Sequence, residues 1–241
     1  MLALLRKRGG FRGDMVGVDY SIRSVELARE LQRLRIHSAY LSDSEEDGSG
    51  SEDGNGDGEK GEEGGSGGGK DTNIRFEEWD ILHHGDVITT TTDGQGEKEK
   101  EKKLDWFPYD KGGFDIVLDK GTFDAVSLSD EVVVEGEGED KDMAASGRKI
   151  QRRVCERYPG IVRGLVRKGG FVVVTSCNWT EEELVNWFTS SSTCTSGGGG
   201  GEGDRLVVWG RVEYPRFRFG GREGQGVCTV CFQRVEGEKE A

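Results

Sequence analysis

Two stretches constrain this chain most: Phe114–Asp124 (FDIVLDKGTFD) and Thr175–Leu184 (TSCNWTEEEL). Each continues or ends an apolar run rich in β-branched residues, turns abruptly polar, and is followed by helix-forming sequence. A buried parallel strand delivers functional groups to the carboxyl edge of an α/β sheet in this way. Two such endings in one chain predict one shared pocket.

The rest of the sequence supports that architecture. Met15–Tyr20 (MVGVDY) predicts a short strand. A helix follows, with Ser21 as N-cap and Val25, Ala28, Leu31, Leu27 and Leu34 on its apolar face. Asn73–Leu82 predicts a strand running into a turn, and a helix spans about 149–166 until Lys168-Gly169-Gly170 breaks it. Phe171–Thr175 is the next strand, and Thr180-Glu-Glu-Glu183 is a capping box that opens the helix through Phe188. Arg205–Tyr214 and Val227–Val235 predict a terminal antiparallel pair. The order β-α-β-β-α-β-α-β-β predicts a doubly wound α/β sheet with an antiparallel edge, folded as a single domain over 1–241.

Only 33% of the 241 residues are hydrophobic and 40 are glycine, but the polar residues are blocked together. Low-complexity inserts are expected at about 42–72, 89–104, 131–148 and 189–204. Residues 42–72 hold eleven Asp/Glu against two Lys, so −9 of the total −13 charge sits in that one insert. It cannot bury enough apolar surface to offset its ordering entropy and is expected to be disordered. The acidity argues against a nucleic-acid partner, which needs clustered Lys/Arg. Five cysteines without disulfide-like spacing imply a reducing compartment. The amino terminus lacks signal-peptide order, and no apolar run reaches membrane-spanning length. The expectation is a soluble, cytoplasmic monomer without a membrane partner.

Asp19 stands at a strand end before a helix, where an acid can accept hydrogen bonds from ribose hydroxyls; a helix-flanking acid is the alternative. Asp80 stands at the next strand end, placed for an adenine amino group, with Ile81 to pack on the ring. Asp86 competes for that role. Asp119 ends the third strand, and Asp124 follows a Lys120-Gly121-Thr122-Phe123 turn. Asn178 and Trp179 close the strand after it, with Trp179 either a lid on the core or a wall for a methylene chain or cation. His83-His84 lacks further ligands at metal spacing, so no metal site is expected. Cys228 and Cys231 would point to opposite faces of a strand and read as core residues.

Val18-Asp19-Tyr20-Ser21, Phe76–Ile81, Leu118–Ala125 and Thr175–Leu184 resemble the lysine methyltransferases that modify translation elongation factor 1-alpha. Phe217–Arg222 and Cys231–Arg234 fit the same family. The resemblance implies a Rossmann-like class I methyltransferase sheet, mostly parallel with a C-terminal antiparallel hairpin, using S-adenosyl-L-methionine. It implies cofactor contacts at Asp19, Tyr20, Asp80, Ile81 and Asp119: ribose at Asp19, adenine at Asp80 and Ile81, the methionine end at Asp119. Asp119, Asn178 and Trp179 are expected to steer the incoming lysine of the elongation factor, the protein substrate.

One departure accompanies the resemblance. The family's first strand and glycine-rich loop have no counterpart before Asp19, so the first strand is expected to be missing, through a truncated product or an incomplete gene model. The alternative function is then a non-catalytic interaction protein working through its acidic loop.

Overall fold

In the computed structural model, the described residues are 1–40, 74–84, 103–135, 150–190, 204–224 and 226–236. The acidic insert 42–72, most of 89–104, 136–148 and most of 189–204 lie outside them, as does Asp86. The described chain forms two compact units, Met1–Asp80 and Ile81–Ala241.

In the first unit, α1 (Leu2–Lys7) precedes β1 (Met15–Asp19), α2 (Ile22–Leu34) and β2 (Ile74–Glu78). β1 and β2 pair in parallel, Met15 opposite Ile74 and Asp19 opposite Glu78. Ala3, Ala39 and Ile74 form the small core, with Leu2, Met15, Tyr40 and Phe76 against it. Helix α2 buries Val25 and half-buries Ala28 and Leu31, but Leu27 and Leu34 are exposed. Its apolar face is therefore narrower than the sequence periodicity predicts. Polar side chains hold it instead: Gln32 Nε2 donates to the Ile74 carbonyl at 3.1 Å and Arg29 Nε to the Phe76 carbonyl at 3.0 Å.

The second unit contains α3 (Ile81–His84), β3 (Phe114–Lys120), α4 (Thr122–Ser127), β4 (Val132–Glu135) and β5 (Ile150–Arg153). There follow α5 (Val154–Leu165), β6 (Val166–Ser176), α6 (Glu181–Thr189), β7 (Arg205–Val212), β8 (Phe217–Phe219), β9 (Arg222–Gly224) and β10 (Cys228–Val235). Four strands form one sheet in the order β3-β6-β10-β7. β3 and β6 are parallel, while β10 runs antiparallel to both β6 and β7. The expected α/β class and its antiparallel C-terminal pair are both present. The last strand inserts between its two neighbours, and the small β8–β9 hairpin interrupts the connection leading to it.

Two sequence expectations need correction. Val132–Glu135 is strand, antiparallel to Ile150–Arg153, where a polar insert and the start of a helix were expected. Its three consecutive valines are β-branched, which suits a strand better than a spacer. The helix consequently opens at Val154, where the Glu156 carboxylate accepts the Arg153 N–H at 3.2 Å.

The core lies between the four-stranded sheet and helices α4, α5 and α6. Val172, Val174, Val230 and Phe232 of the sheet meet Phe123, Tyr158, Val162, Leu184 and Phe188. Phe123 is the hub, its ring centroid 5.2–5.8 Å from those of Tyr158, Trp179, Trp187 and Phe188. Such offset and edge-on pairs add directional preference to area burial. At the far edge Arg234 grips Asp204 with two hydrogen bonds of 2.8 and 2.7 Å, and donates to the Arg163 and Val166 carbonyls. Gly113, at φ +124°, makes the tight entry to β3; a Cβ there would lie 2.7 Å from the Leu165 carbonyl oxygen.

Candidate active site

Parallel pairing brings the ends of β3 and β6 to one sheet edge, with Lys120 opposite Thr175. The polar residues after each strand thus meet, as the two motifs predict. Gly121 N–H donates to the Thr175 carbonyl at 3.1 Å, and Gly121 adopts φ +80° to turn the chain into α4. An L side chain is strained in that conformation.

Asp119 points into this turn. Its carboxylate accepts the Thr122 N–H at 2.8 Å, the Phe123 N–H at 3.1 Å and the Tyr158 hydroxyl at 2.8 Å. Those amides are among the unpaired donors of the α4 amino terminus, so Asp119 caps the helix from three residues upstream. Burial raises its pKa above the ordinary carboxylate value, against the lowering effect of Tyr158 and the two amides. Burial and the Asp119 charge together push the Tyr158 hydroxyl well above its usual range. Lys120, by contrast, is exposed.

Asp124 is also buried, one turn further on. It accepts hydrogen bonds from the Ser176 hydroxyl, the Cys177 N–H at 2.9 Å and the Cys177 thiol at 3.2 Å. Burial works to raise its pKa, but these donors outweigh that and hold it below the ordinary value. Ser176 Oγ in turn accepts the N–H of Asn178 at 3.1 Å and of Trp179 at 2.9 Å. The Trp179 indole N–H donates to Ser127 Oγ at 3.0 Å, and Ser127 donates to the Asp124 carbonyl at 2.9 Å. The Trp179 carbonyl accepts from the Cys228 thiol at 3.0 Å.

The result is a fastened loop presenting Asn178, which is exposed, beside the half-buried face of Trp179. Asp119, Asn178 and Trp179 are therefore assembled at one edge. Ile81, in the same unit, packs on the core through the start of α3.

Asp19, Tyr20 and Asp80 belong to the first unit. Asp19 ends β1, and its Oδ1 accepts the Ser21 N–H at 2.8 Å. The expected cap is thus inverted: the Ser21 side chain makes no cap bond, and Asp19 satisfies the helix entry instead. Asp19 Oδ2 receives no hydrogen bond among the described residues and can take a pair of hydroxyls. Tyr20 beside it is 76% exposed, and Asp80 is half-buried two residues past the end of β2. These residues fit a ribose-bearing ligand through Asp19, whereas the Asp119 carboxylate is already occupied by three protein donors.

Tyr158, Ser176 and Ser127 complete the network, and local sequence does not signal them. Tyr158 lies 39 residues from Asp119, and a serine at a strand end is too common to stand out. The expected absence of a metal site concerns residues only partly described; among the described residues no cluster of three His, Cys, Asp or Glu is placed to hold an ion. Cys155, Cys177, Cys228 and Cys231 are free thiols, and no helix among the described residues is long and apolar enough to cross a membrane.

No protein-family model matches the chain. It is 29% identical over 224 residues to protein-lysine N-methyltransferase EFM4 of Saccharomyces cerevisiae, covering 92% of this chain and 60% of the relative. It is 32% identical over 220 residues to protein-lysine N-methyltransferase efm4 of Schizosaccharomyces pombe, covering 91% and 57%. It is 35% identical over 123 residues to human EEF1A lysine methyltransferase 2, covering 51% and 39%. The chain spans less than two thirds of the length of these curated relatives. With the strand-end network and the α/β architecture in place, the chain is similar over about nine tenths of its own length to protein-lysine N-methyltransferases of the two yeasts.

Proposed function

We propose that the protein is an S-adenosyl-L-methionine-dependent protein-lysine N-methyltransferase acting on translation elongation factor 1-alpha. The observation that carries this reading is the Asp124–Ser176 network, which fastens an exposed asparagine and an aromatic face at the carboxyl edge of a parallel strand pair. Relatives whose names specify EEF1A support this choice of substrate.

The cofactor, when bound, supplies an electrophilic methyl group. Asp19 would hold its ribose, with Tyr20 alongside and Asp80 for the adenine. Asn178 offers an exposed amide carbonyl as acceptor for an amine N–H, and Trp179 offers an apolar wall for the lysine methylenes. An amine with a pKa of about 10.4 in water must lose its proton before it attacks, and an apolar wall disfavours the ammonium form. Holding the nitrogen within roughly 3–3.5 Å of its target supplies much of the remaining rate. Asp119 contributes through the turn it fixes. Cytoplasmic location and action as a monomer belong to the same proposal; the free thiols among the described residues support a reducing environment.

Isothermal titration of the full chain with S-adenosyl-L-methionine tests the cofactor half. Saturable binding that weakens in Asp19→Ala supports the reading. Absence of binding to the wild-type chain at millimolar cofactor overturns it.

A further inference from the structure

Asp124 is given no contact with substrate or cofactor in the reading above, yet it is buried and surrounded by donors. The Ser176 hydroxyl and the Cys177 N–H and thiol donate to its carboxylate, and the Asn178 N–H acts on it as well. Ser176 is the pivot: its hydroxyl hydrogen is committed to Asp124, which leaves its oxygen facing the N–H groups of Asn178 and Trp179. A hydroxyl has one hydrogen and two acceptor lone pairs, so this arrangement uses its whole capacity. Bonds to an ionised acceptor are about twice as strong as neutral ones, and polarisation along the chain strengthens the next link. The second tether runs from the Trp179 indole through Ser127 to the Asp124 carbonyl. The carboxylate thus acts on the backbone of the segment through Ser176, while the main-chain carbonyl of the same residue holds the ring through Ser127.

We propose that Asp124, acting through Ser176, is the positioning residue that sets the Asn178–Trp179 segment at the acceptor end of the site. The role rests on the methyltransferase reading, but the geometry it predicts is measurable without turnover. In the full chain, Ser176→Ala should accelerate amide hydrogen exchange at Asn178 and Trp179 by about tenfold or more, the loss of roughly one hydrogen bond each. Asp124→Asn should accelerate both less, and Ser176→Thr should restore them. The amides of Val172 and Val174, in the same strand, should keep their wild-type rates.

In transfer assays the same variants should raise KM for the protein acceptor several-fold while cofactor affinity stays unchanged. Unaltered exchange at Asn178 and Trp179 in both Ser176→Ala and Asp124→Asn overturns the proposal. So does faster exchange spread evenly through β6, which would mark a merely structural role. Absence of transfer by the wild-type chain would instead count against the methyltransferase reading, and the exchange data would still decide the role of Asp124.

Discussion

The Tyr158 hydroxyl donates to Asp119 Oδ2 at 2.8 Å, joining helix α5 to the end of β3 inside the core. With the Thr122 and Phe123 amides, it turns a carboxylate at a strand mouth into the anchor of the α4 turn. Tyr158→Phe keeps the ring packing on Phe123 and removes only this donor, leaving a buried carboxylate short of a partner. The expected loss is about 1–3 kcal/mol of unfolding free energy, read by chemical denaturation.

The two buried acids predict opposite pH behaviour. Asp124 has a folded pKa below its ordinary value, so it stabilises the fold above its unfolded pKa. That contribution is lost as pH falls through the folded value. Asp119 has a folded pKa above its ordinary value, so its contribution is fully present below the unfolded pKa and is lost as pH rises through the folded one. In denaturation series across the acid range, Asp124→Asn should flatten the decline on the acid side. Asp119→Asn should flatten the decline as pH rises.

Trp179 separates packing from hydrogen bonding. Trp179→Phe retains a ring against Phe123 and Trp187 but loses the bond to Ser127, at a cost of about 1 kcal/mol. Trp179→Ala removes the ring as well and should cost about 3 kcal/mol. Equal losses in thermal or denaturant unfolding would show that the ring contacts contribute little.

At the opposite edge, the Arg234–Asp204 pair is nearly buried, with side-chain exposures of 14% and 7%. Breaking the pair leaves Asp204 with only the longer Arg163 contact at 3.8 Å, so Arg234→Ala should destabilise by up to roughly 3–5 kcal/mol. Arg234→Lys should recover only part of this, because an ammonium cannot reproduce the two-pronged contact. Stability measurements on the two variants check both values.

Much of this edge is legible in the sequence, because strand endings are local. The polar residues after Leu118 and Val174 announce where β3 and β6 stop, and parallel pairing then puts the endings together. The capping box at Thr180 and Glu183 is legible for the same reason: both bonds close within one turn. The direction in which each acid points is not legible. Asp119 turns inward because Tyr158, on a helix far along the chain, meets it there. Leu27 and Leu34 fit a helical apolar face by spacing, yet stay exposed because α2 is held to β2 by Gln32 and Arg29. Val132–Val134 reads as part of a spacer until its partner at 151–153 is known.

On the cofactor side, Asp19→Ala should weaken S-adenosyl-L-methionine binding roughly 10- to 100-fold, the loss of a charge-assisted hydrogen bond of about 1.5–3 kcal/mol. Titration calorimetry reads this directly.

Methyl transfer to the elongation factor is read by incubating the chain with methyl-deuterated S-adenosyl-L-methionine and purified elongation factor 1-alpha, then mapping the label by peptide mass spectrometry. A deuterated methyl group on a lysine of the elongation factor, absent when the chain is heat-denatured, is the predicted result. An unlabelled elongation factor after prolonged incubation at saturating cofactor would contradict it.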